Sequence, residues 1–132
     1  MSRSVAAVAA CALVSATVLL APPAQASPYV SHVEWAKWGD LSSLRVYPTT
    51  VGRSGSGIGH RTVGEAAWAE VLALSPDADL PGMRDQFLCH WAFAELLEPG
   101  KVSWNLEPWR PEVSEAELYE ANCNPGGSEE PF

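Results

Sequence analysis

The chain has 132 residues, 47% of them apolar, with eight Lys and Arg against 16 Asp and Glu, a formal net charge of −8. That size excludes a large multidomain enzyme and a multi-span membrane protein, and the acidity argues against a nucleic-acid binder, which needs clustered cations to neutralise phosphates. Twelve aromatics, six of them tryptophan, argue against a chain disordered throughout.

Residues 1–26 read as a signal peptide. Arg3 supplies the positive start, Val5 to Leu20 is an uncharged apolar run, and Ala24-Gln25-Ala26 is a small-x-small cleavage site. The run is short for a bilayer core, which needs about 20 residues. The alternatives are an uncleaved anchor, or a lipoprotein through Cys11, although the apolar run continues well past that cysteine. Cleavage before Ser27 leaves seven bases against 16 acids, a charge of −9, and predicts a secreted protein with no membrane span. It also leaves Cys89 and Cys123, for which an oxidising compartment offers one intramolecular pairing. Two free thiols, or a bond between chains, are the other possibilities.

Tyr29 to Trp38 alternates as a strand: Tyr29, Ser31, Val33, Trp35 and Lys37 share one face, and Val30, His32, Glu34, Ala36 and Trp38 the other. Gly39-Asp40 marks a turn, Ser43 to Tyr47 alternates again, and Pro48 ends the second strand, so a hairpin is expected. Thr49 to Arg61, with Gly52, Gly55, Gly57 and Gly59, reads as an irregular, flexible stretch. Thr62-Val63-Gly64-Glu65 is a capping box opening a helix to about Leu74, which Ser75-Pro76 stops. Pro81 fits a first helical position. The longest helix runs from there to Leu97, apolar on so many sides that it should be central. Val102 to Leu106 alternates as a third strand. Glu107-Pro108-Trp109-Arg110-Pro111 is neither helix nor central strand, because its prolines remove donors and fix an extended path. Ser114-Glu115-Ala116-Glu117 is a second capping box, for a short helix to about Ala121. Residues 126–132 read as a flexible tail. The expected architecture is a single compact α+β domain over residues 27–125, of order β-β-α-α-β-α, with a small antiparallel sheet packed on helices and one disulfide.

Four stretches stand out together: Leu44-Arg45-Val46-Tyr47-Pro48-Thr49 followed by Arg53, Gln86-Phe87-Leu88-Cys89-His90, Asn105-Leu106-Glu107-Pro108-Trp109-Arg110-Pro111, and Cys123-Asn124-Pro125. Their combination resembles an uncharacterised domain-of-unknown-function family of small secreted proteins from high-GC Gram-positive bacteria, over nearly all of residues 29–125. The resemblance implies a recurring secreted domain and carries over no functional residue.

No complete catalytic or metal-binding motif is present. His32, His60 and His90 lack a His-x-x-x-His or Cys-x-x-Cys companion. Cys89 and His90 are adjacent and diverge by about 100° on a helix, so neither metal nor cofactor is expected. Gly55-Ser56-Gly57 has the wrong spacing for a hydrolase elbow, and the glycine stretch lacks the ending of a phosphate loop. His90 can act as a general base only with an acidic partner, and Glu107 is the candidate; otherwise it is a core histidine. Trp109 and Arg110 form a stiff aromatic–cation pair suited to a sugar ring or a partner chain, or else they cover the core while Arg110 pairs with Glu107.

Three functions follow as expectations. The first is an extracellular or cell-envelope module binding a glycan or protein ligand through Trp109, Arg110, Trp38 and Arg53. The second is a secreted hydrolase or toxin-like enzyme using His90 with Glu107 and Arg110, completed by His60. The third is an inhibitor presenting the Arg53–His60 loop, which requires that loop to be rigid. The sequence is silent on oligomeric state.

Overall fold

The computed structural model describes residues 17–21 and 26–127. The expected signal peptide, apart from residues 17–21 and 26, and the expected tail beyond Gly127 lie outside the described residues. Strands β1 (Val30–Trp38) and β2 (Leu41–Pro48) form an antiparallel hairpin. Gly39 turns the chain at φ +55, where a side chain would be strained. A short β3 (Trp104–Leu106) pairs antiparallel with β2, giving the order β1-β2-β3.

Alternation assigns the two faces. Leu44 and Val46 of β2 lie opposite Trp35 and Val33 of β1 and opposite Leu106 and Trp104 of β3. These side chains make the inner face and pack in the core. The register slips by one between Val30 and His32. That bulge lets Val30, which simple alternation places on the outer face, turn inward and bury too.

The helices cover the inner face. Helix α2 (Arg61–Leu74) contributes Ala67, Trp68 and Val71, and α3 (Met83–Leu97) contributes Met83, Phe87, Leu88, Trp91 and Ala94. Trp91, Trp104 and Phe87 meet at centroid distances of 6.0–6.3 Å. The expected centrality of the long helix is thus observed. Gly64 lets α2 come close to α3: a Cβ there would lie 2.8 Å from the Trp91 ring. A 3₁₀ turn (Pro76–Ala78) links the two helices. The short helix α4 (Glu115–Glu120) is fastened to α3 by the Cys89–Cys123 disulfide, whose sulfurs are 2.05 Å apart. Among the described residues no helix is long and apolar enough to cross a membrane.

The expected order is present, with differences in detail. The stretch expected to be irregular contains a further helix, α1 (Thr50–Gly55). Its glycines lower helix propensity, but Thr49 caps it by accepting from Gly52 N at 2.9 Å. Gly52 is required by its surroundings, since a Cβ would sit 2.1 Å from the Tyr29 carbonyl oxygen. The Thr62–Glu65 capping box does not form. Helix α2 starts at Arg61, and Glu65 turns instead to Arg84 and Arg61. Pro81 is not a helical residue; α3 starts after Gly82, which is left-handed at φ +81. The third strand is shorter than Val102–Leu106, because Val102 projects into solvent. The second capping box, Ser114 with Glu117, forms with both of its bonds.

Candidate functional site

The stretches singled out in the sequence meet in a buried polar cluster. Glu107 follows β3 and lies across from Ser43 of β2, whose hydroxyl donates to its Oε1 at 3.1 Å. Its Oε2 accepts from Arg110 Nε at 2.8 Å, three residues on, across a turn that Pro108 helps to set. Both side chains are excluded from water, at 1% and 0% exposure. The Arg110 guanidinium also donates to the carbonyls of Pro125 and Gly127, at 3.1 and 2.8 Å. It lies 4.5 Å from the Trp109 ring centroid. The Gln86 side chain completes the cluster by pairing with the Glu107 backbone in both directions, at 2.9 Å each. The cluster ties α3, β2, β3 and the C-terminal segment together. Such a buried, fully bonded ion pair fixes geometry, and removing one partner strands the other charge.

His90 lies one turn beyond Gln86 on α3 and is buried. Its Nδ1 donates to the Gln86 carbonyl at 2.8 Å. A carbonyl can only accept, so in the neutral ring the proton is on Nδ1 and Nε2 is the acceptor. The Glu107 carboxylate is directed to Ser43 and Arg110, and His90 is linked to Glu107 through Gln86.

The other candidates are spread over the molecule. Arg53 binds the Glu95 carboxylate and donates to the Lys101 carbonyl at 2.7 Å, joining α1 to the end of α3. His60 is exposed, with Nδ1 donating to the Gly55 carbonyl at 2.9 Å. Trp38 sits at the hairpin tip, half exposed, and Trp109 is half-buried against Arg110. The structure therefore brings together Glu107, Trp109 and Arg110, and leaves Trp38, Arg53 and His60 on separate elements. Among the described residues, no group of three His, Cys, Asp or Glu side chains is placed to hold a metal ion.

His90 also lines a cleft of about 390 Å³ between α3 and the residues after α4, walled by Phe93, Ala94, Leu97, Lys101 and Asn124. Two smaller hollows continue it along α3. One, of about 200 Å³, lies between Phe93, Leu97 and Tyr119. The other, of about 210 Å³, lies between Phe93, Tyr119 and the Gly57–Gly59 loop. Phe93 is common to all three and packs edge-on to Tyr119 at 4.8 Å. Partial burial raises the Tyr119 phenol above its ordinary pKa, and its hydrogen bond to the Glu115 carboxylate adds to the rise. The backbone at one wall is unusual, with Asn122 at φ 50 and Cys123 at φ 66. Left-handed geometry suits asparagine and is rarer for cysteine. Here the disulfide and the bond from Cys123 N to the Leu118 carbonyl, at 2.9 Å, hold it.

Sequence reasoning singled out His90 and missed Phe93, Leu97, Lys101 and Asn124. Phe93 and Leu97 lie on helical stripes that read as core, and only the position of α4 shows that they border a cleft. The exposed Leu96–Leu97 pair at the end of α3 is the signal that marks an open apolar surface.

Comparison with known proteins adds kinship. The family model described as "Protein of unknown function (DUF2599)" matches residues 30–126. Uncharacterised proteins of Mycobacterium bovis and of Mycobacterium tuberculosis are each 57% identical over 110 residues, covering 83% of this chain and 74% of theirs. An uncharacterised protein of Mycobacterium leprae is 45% identical over 107 residues, covering 81% of this chain and 87% of its own. No solved structure matches the chain.

Proposed function

The chain belongs to the DUF2599 family of proteins of unknown function, and we propose that it is a small exported binding module whose ligand enters the cleft between α3 and the residues after α4. The observation that carries this reading is the cleft itself. At about 390 Å³ it has the capacity of a ligand site, with an apolar wall of Phe93, Ala94 and Leu97 and a few polar groups from His90, Lys101 and Asn124. The expected contacts shift accordingly, since Arg110 and Arg53 are already engaged within the fold. A hydrolase built on His90, Glu107 and Arg110 is less favoured. The carboxylate and the guanidinium are buried against each other, and neither is open to a substrate.

Export is supported by the leader pattern and by the Cys89–Cys123 bond, which suits an oxidising compartment. Mass spectrometry of the protein from culture medium tests it: the expected N-terminus is Ser27, and an intact leader overturns the export reading.

The binding reading is tested by NMR on the disulfide-bonded domain with neutral amphiphilic probes. Amides of His90, Phe93, Leu97 and Asn124 should shift together, and Leu97→Asn, an exposed position, should weaken the effect. Shifts scattered over the surface, or none, count against the cleft.

A second reading has one observation in its favour. The loop after α1 is pinned from both ends by Trp91, whose carbonyl accepts from Gly57 N at 2.9 Å and whose indole donates to the His60 carbonyl at 3.0 Å. Ile58 is thereby presented, 65% exposed, on a tethered loop, which is what an inhibitor requires. Ile58→Ser abolishing inhibition of a partner enzyme would favour this reading over the cleft.

A further inference from the structure

The residues that follow the expected leader cut are held by side chains from two other elements. Pro28 has no amide hydrogen, and its carbonyl accepts from the Thr49 hydroxyl at 2.7 Å. Tyr29 N and Val30 N both donate to one oxygen of the Glu70 carboxylate, at 2.8 and 2.9 Å. The Tyr29 carbonyl accepts from Thr49 N at 2.9 Å and from the Thr49 hydroxyl at 3.1 Å. Every backbone donor and acceptor of Pro28 and Tyr29 is thus used within the fold. The Tyr29 ring meets Trp91 edge-on at 5.9 Å, and Val30 is buried. Glu70 belongs to α2, and Thr49 is the cap of α1.

Ala26, Ser27 and Pro28 are exposed, yet the tether begins at Pro28, the second residue after the bond expected to be cut. A peptidase that takes its substrate as an extended strand pairs with backbone groups on both sides of the scissile bond. Beyond Ala26–Ser27 those groups are the ones that Thr49 and Glu70 already hold. Cutting the folded chain therefore requires Pro28–Val30 to lift away first, which breaks these bonds and withdraws Tyr29 from Trp91. In the unfolded chain the same groups are open to an enzyme, and Pro28 favours an extended Ser27.

Resting on the export reading above, we infer that Pro28–Val30 is a latch over a processing site. The Ala26–Ser27 bond is open to a signal peptidase only until Glu70 and Thr49 engage, so the leader is removed before the fold is complete. The step is a hydrolysis: one water adds across the amide and leaves a carboxylate on Ala26 and an amine on Ser27. A chain that folds first keeps its leader and stays attached to the membrane by it.

The test uses the full 132-residue chain with a purified bacterial signal peptidase in detergent, and mass spectrometry reads the release of residues 1–26. The chain kept unfolded, with its cysteines reduced, should be cut at Ala26–Ser27. The folded chain, with Cys89 bonded to Cys123, should be cut at least about tenfold more slowly, because cutting then waits on a minor open form. Two variants of the folded chain assign the cause. Glu70→Ala frees the Tyr29 and Val30 amides and should speed cutting several-fold. A flexible Gly/Ser spacer of about eight residues between Ser27 and Pro28 moves the bond away from the latch, touches no core residue and should restore the unfolded rate. If Glu70→Ala loses the near-UV signal of the native fold, the spacer chain decides alone. Equal cutting of the folded and unfolded chains, or no gain in a natively folded Glu70→Ala chain or in the spacer chain, overturns the inference and leaves export standing. An unfolded chain left uncut at Ala26–Ser27 overturns export and the inference together.

Discussion

At the scale of single residues, the buried Glu107–Arg110 pair explains why a Glu-Pro-Trp-Arg-Pro run occurs in so small a protein. The carboxylate uses both oxygens, the guanidinium holds two backbone carbonyls, and Gln86 closes the Glu107 backbone. Glu107→Ala would take away the buried carboxylate to which Arg110 Nε donates, at a cost of about 3–5 kcal/mol. Equilibrium denaturation in urea measures it; a loss below about 1 kcal/mol would mean that the pair does not hold the C-terminal segment. In the same geometry the His90 ring donates to the Gln86 carbonyl, so it reaches this cluster through Gln86 and not through the Glu107 carboxylate's two described bonds.

At the scale of elements, two contacts are set by what a side chain would hit. Gly64 lets α2 lie against Trp91, and an added methyl 2.8 Å from that ring forces the helices apart. Gly64→Ala gains helix propensity of up to about 1 kcal/mol and loses about 1–3 kcal/mol through overpacking, so net destabilisation is expected. A thermal scan of the variant decides it, and a raised Tm would refute the close approach. Helix α4 depends on its cap. Hydrogen bonds from the Ser114 hydroxyl and then the Ser114 backbone hold the exposed Glu117 carboxyl below its ordinary value of 4.5. A lowered folded pKa means that this support is complete above about 4.5 and is lost as pH falls through the lower folded value. Amide protection in α4, measured against the intrinsic exchange rate at each pH, should therefore fall on acidification before protection in α3 does. Ser114→Ala should remove that early phase, and simultaneous acid loss of both helices would contradict the assignment.

At the scale of the molecule, the disulfide closes a loop with a sequence separation of 34 and joins α4 to the central helix. The chain-entropy model gives about 4 kcal/mol for a loop of that size, a large share of the stability of so small a domain. Replacing both cysteines by serine should lower the urea midpoint accordingly and erase the cleft wall at Cys123; an unchanged midpoint would place α4 outside the cooperative fold. Much of this plan is legible in the residues. Period-two alternation in Tyr29–Trp38 and Ser43–Tyr47, the apolar breadth of Met83–Leu97, and the Ser114–Glu117 box each specify local structure through a strong local preference. Thr49–Arg61 is not legible in the same way, because α1 is held by the approach of Gly52 to Tyr29 and the loop after it by Trp91, both distant in sequence. Nor does Thr62–Glu65 form its box, since Arg84 competes for Glu65. The sequence by itself determined the α+β order, the hairpin and the central helix, because periodicity, turn residues and composition act locally, whereas the Cys89–Cys123 bond, expected as one of several possibilities, is decided by the fold that brings the two together. Only the tertiary structure decided that Glu107 and Arg110 are consumed in a buried lock, and that Phe93, Leu97 and His90 border a groove. Those outcomes depend on which distant groups are brought against them, and no spacing along the chain encodes that distance.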